Sequence, residues 1–268
     1  MFLKKISASI FDFLDLVRYW VWRPIVQTNI IAALVLFVFI GNIAHHLSEF
    51  IIFIVYMHAA FSFGFLVNGY ADLSVDKMAG KNYLDSVSKK YIFVLLSIFF
   101  LILISLPFYF NNVGITVSVA LGIFLGVFYS LKPLRFKECG FFGIIASTVS
   151  QRLPFILFFF IMPDYFVLTT YIFGWLILDG ILIELGHQID DYNNDILTKT
   201  NTFLVSIGKH KAKITLYIFS IALVLYMLFP LALASLNVAL LCMILFIFSQ
   251  TTLREAQRQI HNMQLTDN

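Results

Sequence analysis

The chain has 268 residues, of which 60% are hydrophobic and 12% are charged, and its formal net charge is +3. Because a soluble domain carries roughly 25% charged residues, this composition excludes a water-coated globular protein and predicts an integral membrane protein. No basic run with interleaved aromatic residues occurs, so we predict no nucleic-acid partner.

Residues 1–22 alternate apolar and polar positions ahead of the first long apolar run. This pattern predicts an amphipathic helix on the inner leaflet of the membrane, with Trp20 and Trp22 at the membrane interface. We treat residues 1–268 as a single transmembrane domain that includes this helix.

Apolar runs long enough to cross a bilayer, roughly 17 to 25 residues, recur about eight times. In chain order the predicted spans are 24–43, 50–68, 91–110, 113–130, 141–161, 166–186, 212–231 and 234–251. Only Asn111 and Asn112 separate the third span from the fourth, which predicts a hairpin. The predicted fold class is therefore all-α, a polytopic bundle of transmembrane helices.

The basic residues test this span count. Of the 18 Lys and Arg residues, all but Arg152 fall in segments that an even number of spans places on one side of the membrane. Because basic segments mark the cytoplasmic side, we predict that both termini are cytoplasmic.

Two acidic motifs stand at the predicted cytoplasmic ends of spans. The second span ends in Asn68, Asp72 and Asp76, and the sixth continues into Asp191 and Asp195. Residues four apart on a helix are separated by about 400°, so each motif lies on one face. Two such faces brought together would form a cluster of carboxylates, which like-charge repulsion makes unstable without cations. We therefore predict that these residues bind Mg²⁺ near the cytoplasmic face and that substrate phosphates complete its shell.

His187 precedes Asp191 by four residues and shares its helical face. One reading gives it a role beside the metal or as a proton acceptor. The other is a structural histidine that is hydrogen-bonded within its helix, and the sequence leaves both readings open.

Basic residues follow the second and fourth spans at the membrane level of the acidic motifs. Lys77 and Lys81 come after the second span, and Arg135 and Lys137 follow Tyr129 after the fourth. Cations beside a metal site would bind diphosphate oxygens. The alternative is that these cations only mark the cytoplasmic side.

Arg152 lies within the fifth span, where a charged arginine needs a partner or a water-filled cavity. Asp179 and Glu184 of the sixth span lie at a comparable depth. We expect Arg152 to face these carboxylates across an internal cavity that receives the acceptor. The alternative is a purely stabilising buried ion pair.

These motifs resemble those of the UbiA superfamily of intramembrane prenyltransferases. The resemblance covers nearly the whole chain, from Arg23-Pro24 to Gly208. It rests on Asn68xxxAsp72xxxAsp76, on the loop Tyr129-Ser130…Pro133…Arg135…Lys137, and on Asp191xxxAsp195 followed by Thr202 and Gly208.

The resemblance implies a helical bundle around a central cavity that opens sideways to the lipid. Two Mg²⁺ ions held by the acidic motifs would bind the diphosphate of an isoprenyl donor. The cations that would neutralise the departing diphosphate are Lys77, Lys81, Arg135 and Lys137. The residues expected to be catalytic are Asp72, Asp191, Tyr129 and His187.

Three features depart from the family pattern. Gly69 stands where many members have Asp, and His187 stands where a third acidic residue is often found. The count of about eight spans falls short of the usual nine, so a ninth span is possible.

The function that the resemblance implies is Mg²⁺-dependent transfer of a prenyl group from an isoprenyl diphosphate to a lipophilic, preferably aromatic, acceptor. The alternative within the superfamily is a membrane terpene cyclase, which needs no acceptor. A cation transporter is disfavoured, because the acidic residues lie at one membrane level without matching polar positions near the outer ends of the spans.

Overall fold

The structure, a computed structural model, describes residues 12–40, 43–78, 84, 87–228, 244, 245, 247, 249, 252–254 and 258. In this part of the chain it consists of helices and turns, with no strand. The predicted all-α fold class is confirmed.

Ten helices are numbered here in chain order. They are α1 Tyr19–Ile40, α2 Leu47–Ala71, α3 Leu73–Met78, α4 Lys89–Phe110, α5 Val113–Ser130, α6 Phe141–Arg152, α7 Leu157–Ile161, α8 Phe166–Asp190, α9 Tyr192–Leu197 and α10 Phe203–Leu228. A 3₁₀ turn, Leu153–Ile156, joins α6 to α7 and contains Pro154. Proline has no backbone N–H to continue the α-helical bonding, which accounts for the break between the two helices.

Seven segments among the described residues are long and apolar enough to cross a membrane. They overlap the first seven predicted spans, with α6 and α7 together forming the fifth. The eighth predicted span, 234–251, lies mostly outside the described residues. The choice between eight and nine spans therefore stays a prediction.

The hairpin between α4 and α5 is confirmed, and two asparagines explain it. Asn111 ends α4 in the left-handed conformation, with φ 46° and ψ 45°, which asparagine tolerates better than most residues. The side-chain oxygen of Asn112 accepts a hydrogen bond from the Ile115 N–H at 3.2 Å and caps α5.

Helix α8 is central to the packing, because it contacts α10, α6 and α1, while α2 packs against α4 and α5. Large aromatic residues fill the space between helices, and the ring centroids of Phe53 and Phe158 lie 4.8 Å apart. Apolar side chains also point outward, with Phe108 and Val167 each 82% exposed. Exposed apolar surface of this kind is expected where helices meet lipid.

The start of the chain differs from the prediction for residues 1–22. The structure describes only residues 12–22 of this segment, and α1 already begins at Tyr19, after Arg18 with φ 54°. Trp22 is buried rather than interfacial, and its indole N–H donates to the Val17 carbonyl oxygen at 2.7 Å. The Arg18 turn directs Trp22 into the bundle, whereas Trp20 is 45% exposed. The inner-leaflet helix itself stays a prediction.

Candidate active site

A cavity of about 290 Å³ opens between the helices, with α2, α5, α6 and α8 among its walls. Part of its lining is apolar and includes Leu103, Ile123 and Leu153. The rest is polar and includes both acidic motifs, namely Asn68, Asp72, Asp76, Asp191 and Asp195. The fold therefore brings two motifs that lie more than a hundred residues apart in sequence to one cavity.

The first acidic motif crosses the end of α2. Asp72 follows the last residue of α2, and its backbone N–H donates to the Asn68 carbonyl oxygen at 2.9 Å. Asp76 lies in α3, and its N–H donates to the Asp72 carbonyl oxygen at 2.7 Å. Because these bonds keep the helical spacing of four residues across the junction, all three side chains reach the cavity.

The second motif has the same construction at the end of α8. The Asp191 N–H donates to the His187 carbonyl oxygen at 3.0 Å, and the Asp195 N–H donates to the Asp191 carbonyl oxygen at 2.9 Å. Asp195 lies in α9, and its Oδ2 accepts a hydrogen bond from Thr202 Oγ1 at 3.0 Å. His187 lines the cavity with these two aspartates, as its helical phase predicts.

The oxygen atoms of the first motif fit a hard cation. Asn68 Oδ1 is buried and makes no hydrogen bond within the described structure, and the buried Asp72 Oδ1 makes only an ion pair with Arg135 at 3.4 Å. Buried oxygens without a partner are rare, and carboxylate and amide oxygens are Mg²⁺ ligands. Among the described residues, no group of three or more His, Cys, Asp or Glu side chains is arranged to hold a metal ion. Mg²⁺ bound here would therefore need substrate phosphates and water to complete its shell.

Two of the predicted diphosphate-binding cations contact Asp72. Lys137 Nζ lies 2.5 Å from Asp72 Oδ2, and Arg135 Nη2 forms an ion pair with Asp72 Oδ1 at 3.4 Å. Arg135 has φ 41°, and it also binds Glu138 and the Ser130 carbonyl oxygen. A non-glycine residue with positive φ is kept only when its surroundings hold it, and such residues cluster at functional sites.

The other two predicted cations are less well placed for this role. Lys77 is exposed on α3 and does not line the cavity. Lys81 lies outside the described residues. Diphosphate binding by these two lysines stays a prediction.

Tyr129 lines the cavity and donates a hydrogen bond from its hydroxyl group to Glu184 Oε1 at 2.8 Å. Ser147 Oγ donates to Glu184 Oε2 at 2.6 Å, and Gln188 Nε2 donates to Glu184 Oε1 at 3.2 Å. Glu184 is thus a cavity-lining carboxylate that accepts three hydrogen bonds.

The expectation that Arg152 faces both Asp179 and Glu184 across a cavity is wrong. Arg152 Nη2 lies 3.0 Å from Asp179 Oδ2, the two side chains are buried, and neither lines the cavity. Asp179 and Glu184 are five residues apart on α8, so they point about 140° away from each other and cannot share a partner. Of these three residues only Glu184 belongs to the cavity, and Arg152 with Asp179 forms the buried ion pair.

Two further residues bind Glu184 and were not predicted from the sequence, namely Ser147 and Gln188. Gln188 follows Glu184 by four residues on the helical face that also carries Asp191. That spacing could have identified Gln188. Ser147 lies on another helix, so no sequence spacing links it to Glu184.

Comparisons with known proteins concern the family and the fold of this chain. The sequence model of the UbiA prenyltransferase family matches residues 29–263. A UbiA homolog from Archaeoglobus fulgidus bound to GPP and Mg²⁺ superposes with a TM-score of 0.64 at 14% identity, over 93% of this chain and 99% of that one. The homolog bound to DMAPP and Mg²⁺ gives a TM-score of 0.67 at 16% identity, over 90% of this chain and 86% of that one. The comparison with curated proteins finds no match.

Proposed function

The chain belongs to the UbiA prenyltransferase family, and we propose that this membrane protein transfers a prenyl group from an isoprenyl diphosphate to a lipophilic, aromatic acceptor in a Mg²⁺-dependent reaction. One observation carries the proposal: both acidic motifs line a single cavity whose remaining lining is partly apolar. An isoprenyl diphosphate has an anionic head, which suits the polar lining of this cavity, and an apolar tail, which suits the apolar lining. The Archaeoglobus homologs bound to GPP or DMAPP with Mg²⁺ support the same donor class here.

We assign the head of the donor to the polar part of the cavity. Two Mg²⁺ ions, when bound there, would act as Lewis acids that neutralise the diphosphate. The proposed ligands are Asn68, Asp72, Asp76, Asp191 and Asp195. His187 lines the same part of the cavity, and we place it beside this metal site.

Lys137 and Arg135 are proposed to bind the diphosphate. Both contact Asp72, a proposed metal ligand, and Lys137 also lines the cavity, whereas Arg135 does not. When the bond between the allylic carbon and the diphosphate oxygen breaks, the electron pair leaves on the diphosphate. Positioned cations stabilise that charge more in the transition state than in the ground state, which accelerates the step.

Tyr129 is proposed to act on the allylic cation that remains. Tyr129 lines the cavity, and an aromatic face attracts a cation. The acceptor then attacks the cation from the apolar part. Because basic segments mark the cytoplasmic side, we place the polar end of the cavity and both termini at the cytoplasmic face.

The test is diphosphate release by the purified protein in lipid, with Mg²⁺ and isoprenyl diphosphates of several lengths, with and without phenolic acceptors. The variant Asp72→Ala with Asp191→Ala is expected to lose release. Asp190→Ala is the matched control, because this exposed carboxylate adjoins the second motif but does not line the cavity.

Three outcomes are informative. Release that requires an acceptor and disappears in the double variant would support prenyl transfer. Release without an acceptor that yields a cyclic product would favour the terpene cyclase instead. No release with any donor would contradict the proposed activity.

A further inference from the structure

Among the described residues, Glu184 is the one carboxylate that lines the cavity outside the two acidic motifs. Asp191, directly after the end of α8, is seven positions further along the chain, which corresponds to two helical turns and about 10 Å along the axis, so the two residues share a face. The proposed diphosphate site at Asp191 lies at the end of α8, so Glu184, two turns earlier, lies deeper in the bundle. This depth suits a group that acts on the acceptor rather than on the diphosphate.

Two consecutive residues at the end of α5 join Glu184 to the metal-binding part of the cavity. Ser130 Oγ donates to Asp72 Oδ2 at 3.4 Å, and Tyr129 donates its hydroxyl hydrogen to Glu184 at 2.8 Å. These two hydrogen bonds place Tyr129 and Ser130 between the Asp72 and Glu184 carboxylates. The Tyr129 hydroxyl group therefore lies at the boundary between the donor head and the acceptor space.

We propose that Glu184, acting through the Tyr129 hydroxyl group, accepts the proton that a neutral, hydroxyl-bearing acceptor loses when it is prenylated. This inference rests on the proposed function and identifies the class of acceptor. A phenolic hydroxyl group can donate one hydrogen bond and accept another at the same time. Tyr129 can therefore donate a hydrogen bond to Glu184 while it accepts one from the hydroxyl group of the prenyl acceptor.

The charge of Glu184 favours a neutral group of the acceptor beside it. The cations Arg18 and Lys137 also line the cavity, but within the described part of the chain neither forms an ion pair or hydrogen bond with Glu184. Arg152 is bound to Asp179 outside the cavity and offers no cation there, whereas Glu184 contributes a negative charge. A carboxylate group of an acceptor placed beside Glu184 would therefore be repelled. A hydroxyl group, in contrast, meets a hydrogen-bond acceptor.

The proposed step balances without a further reactant. The bond between the allylic carbon and oxygen breaks, and its electron pair leaves on the diphosphate. The acceptor's oxygen, or the ring carbon conjugated with it, forms the new bond to the allylic carbon as the acceptor's O–H bond breaks. The acceptor's proton passes to Tyr129 Oη while the Tyr129 proton passes to Glu184 Oε1, which leaves a neutral carboxylic acid. That acid later releases its proton to water.

The experiment compares wild type, Glu184→Gln, Tyr129→Phe and Asp190→Asn in lipid vesicles with Mg²⁺, geranyl diphosphate and a set of phenols and hydroquinones. Two quantities are measured in each reaction: diphosphate released, and the ratio of prenylated acceptor to the alcohol formed when water captures the cation. Glutamine keeps the shape of Glu184 and a hydrogen-bond acceptor for Tyr129, so folding is preserved. Asp190→Asn makes the same chemical change at an exposed position of the same helix.

For Glu184→Gln we expect diphosphate release to continue while the ratio of prenylated product to alcohol falls about 10²- to 10⁴-fold, the usual contribution of a proton-transfer group. Tyr129→Phe is expected to lower the ratio as well, and Asp190→Asn is expected to leave it at the wild-type value. A ratio is independent of how much protein is folded, so a loss of folded protein alone would not change it.

The inference is overturned if Glu184→Gln keeps the wild-type ratio, or if His187→Gln rather than Glu184→Gln lowers it. It is also overturned if wild type releases diphosphate but prenylates none of the hydroxyl-bearing acceptors. Absence of diphosphate release from wild type with every donor would instead remove the proposed function on which the inference depends.

Discussion

Replacing Asp179 by alanine is expected to destabilise the protein by about 3–5 kcal/mol, because it leaves a buried guanidinium without its anionic partner. Arg152 is fully buried, its Nη2 lies 3.0 Å from Asp179 Oδ2, and its Nη1 donates to the Ile25 carbonyl oxygen at 3.2 Å. After the substitution the carbonyl group remains, but a neutral acceptor does not compensate a full charge in an apolar interior.

The double variant Arg152→Met with Asp179→Leu separates charge burial from loss of packing. Removing both charges together is expected to cost only about 1–3 kcal/mol, because the groups left without a partner are neutral ones. These are the Ile25 carbonyl group and the Thr252 hydroxyl group, which donates to Asp179 Oδ1 at 2.8 Å.

Both variants are measured by reversible unfolding in mixed micelles with increasing dodecyl sulfate, followed by tryptophan fluorescence. Since neither residue lines the cavity, the folded double variant should keep the wild-type ratio of prenylated product to alcohol. The reasoning is refuted if Asp179→Ala costs less than about 1 kcal/mol, or if the double variant is the less stable of the two. If the stable double variant selectively lost binding of the prenyl acceptor, Arg152 and Asp179 would instead belong to the acceptor site.

Three further predictions follow from the cavity and the helix ends. An added Cβ at Gly126 meets no atom within 4 Å and the residue lines the cavity, so Gly126→Leu should occupy donor space. Long-chain donors should then lose about tenfold more turnover than geranyl diphosphate, and equal losses would contradict this. Lys137→Met should lower the rate of diphosphate release about 10²- to 10³-fold, as removal of one stabilising group typically does, and a wild-type rate would exclude Lys137 from that role. Chelation should abolish release, with recovery on adding Mg²⁺ but not Ca²⁺, because the larger ion favours a looser geometry; equal recovery with Ca²⁺ would contradict a Mg²⁺ site.

Much of the site could be predicted from sequence because its signals are local. The acidic motifs repeat every four residues, a spacing that keeps side chains on one face even where Asp72 and Asp191 end their helices. The predicted common face is kept although each helix ends at its aspartate. The hydrogen bonds from the Asp72 and Asp191 N–H groups to the Asn68 and His187 carbonyl oxygens continue the helical pattern. Asn111 and Asn112 likewise identified a hairpin through their own backbone preferences.

The partners of buried polar groups could not be predicted in the same way. Depth within a span is readable from sequence, and it correctly placed Arg152 near Asp179. Depth does not give direction, however, and the rotation of each helix decides which carboxylate faces an arginine on another helix. Glu184 therefore faces Tyr129 and Ser147 instead of Arg152.

The sequence by itself determined that this chain is a membrane protein with two acidic motifs of helical spacing, because composition and periodicity act within single segments. Only the tertiary structure decided that both motifs line one cavity, that Lys137 and Arg135 contact Asp72, and that Arg152 lies outside the cavity. These facts depend on how helices distant in the sequence rotate and pack against each other, and the interlocking of side chains across their interfaces sets that rotation.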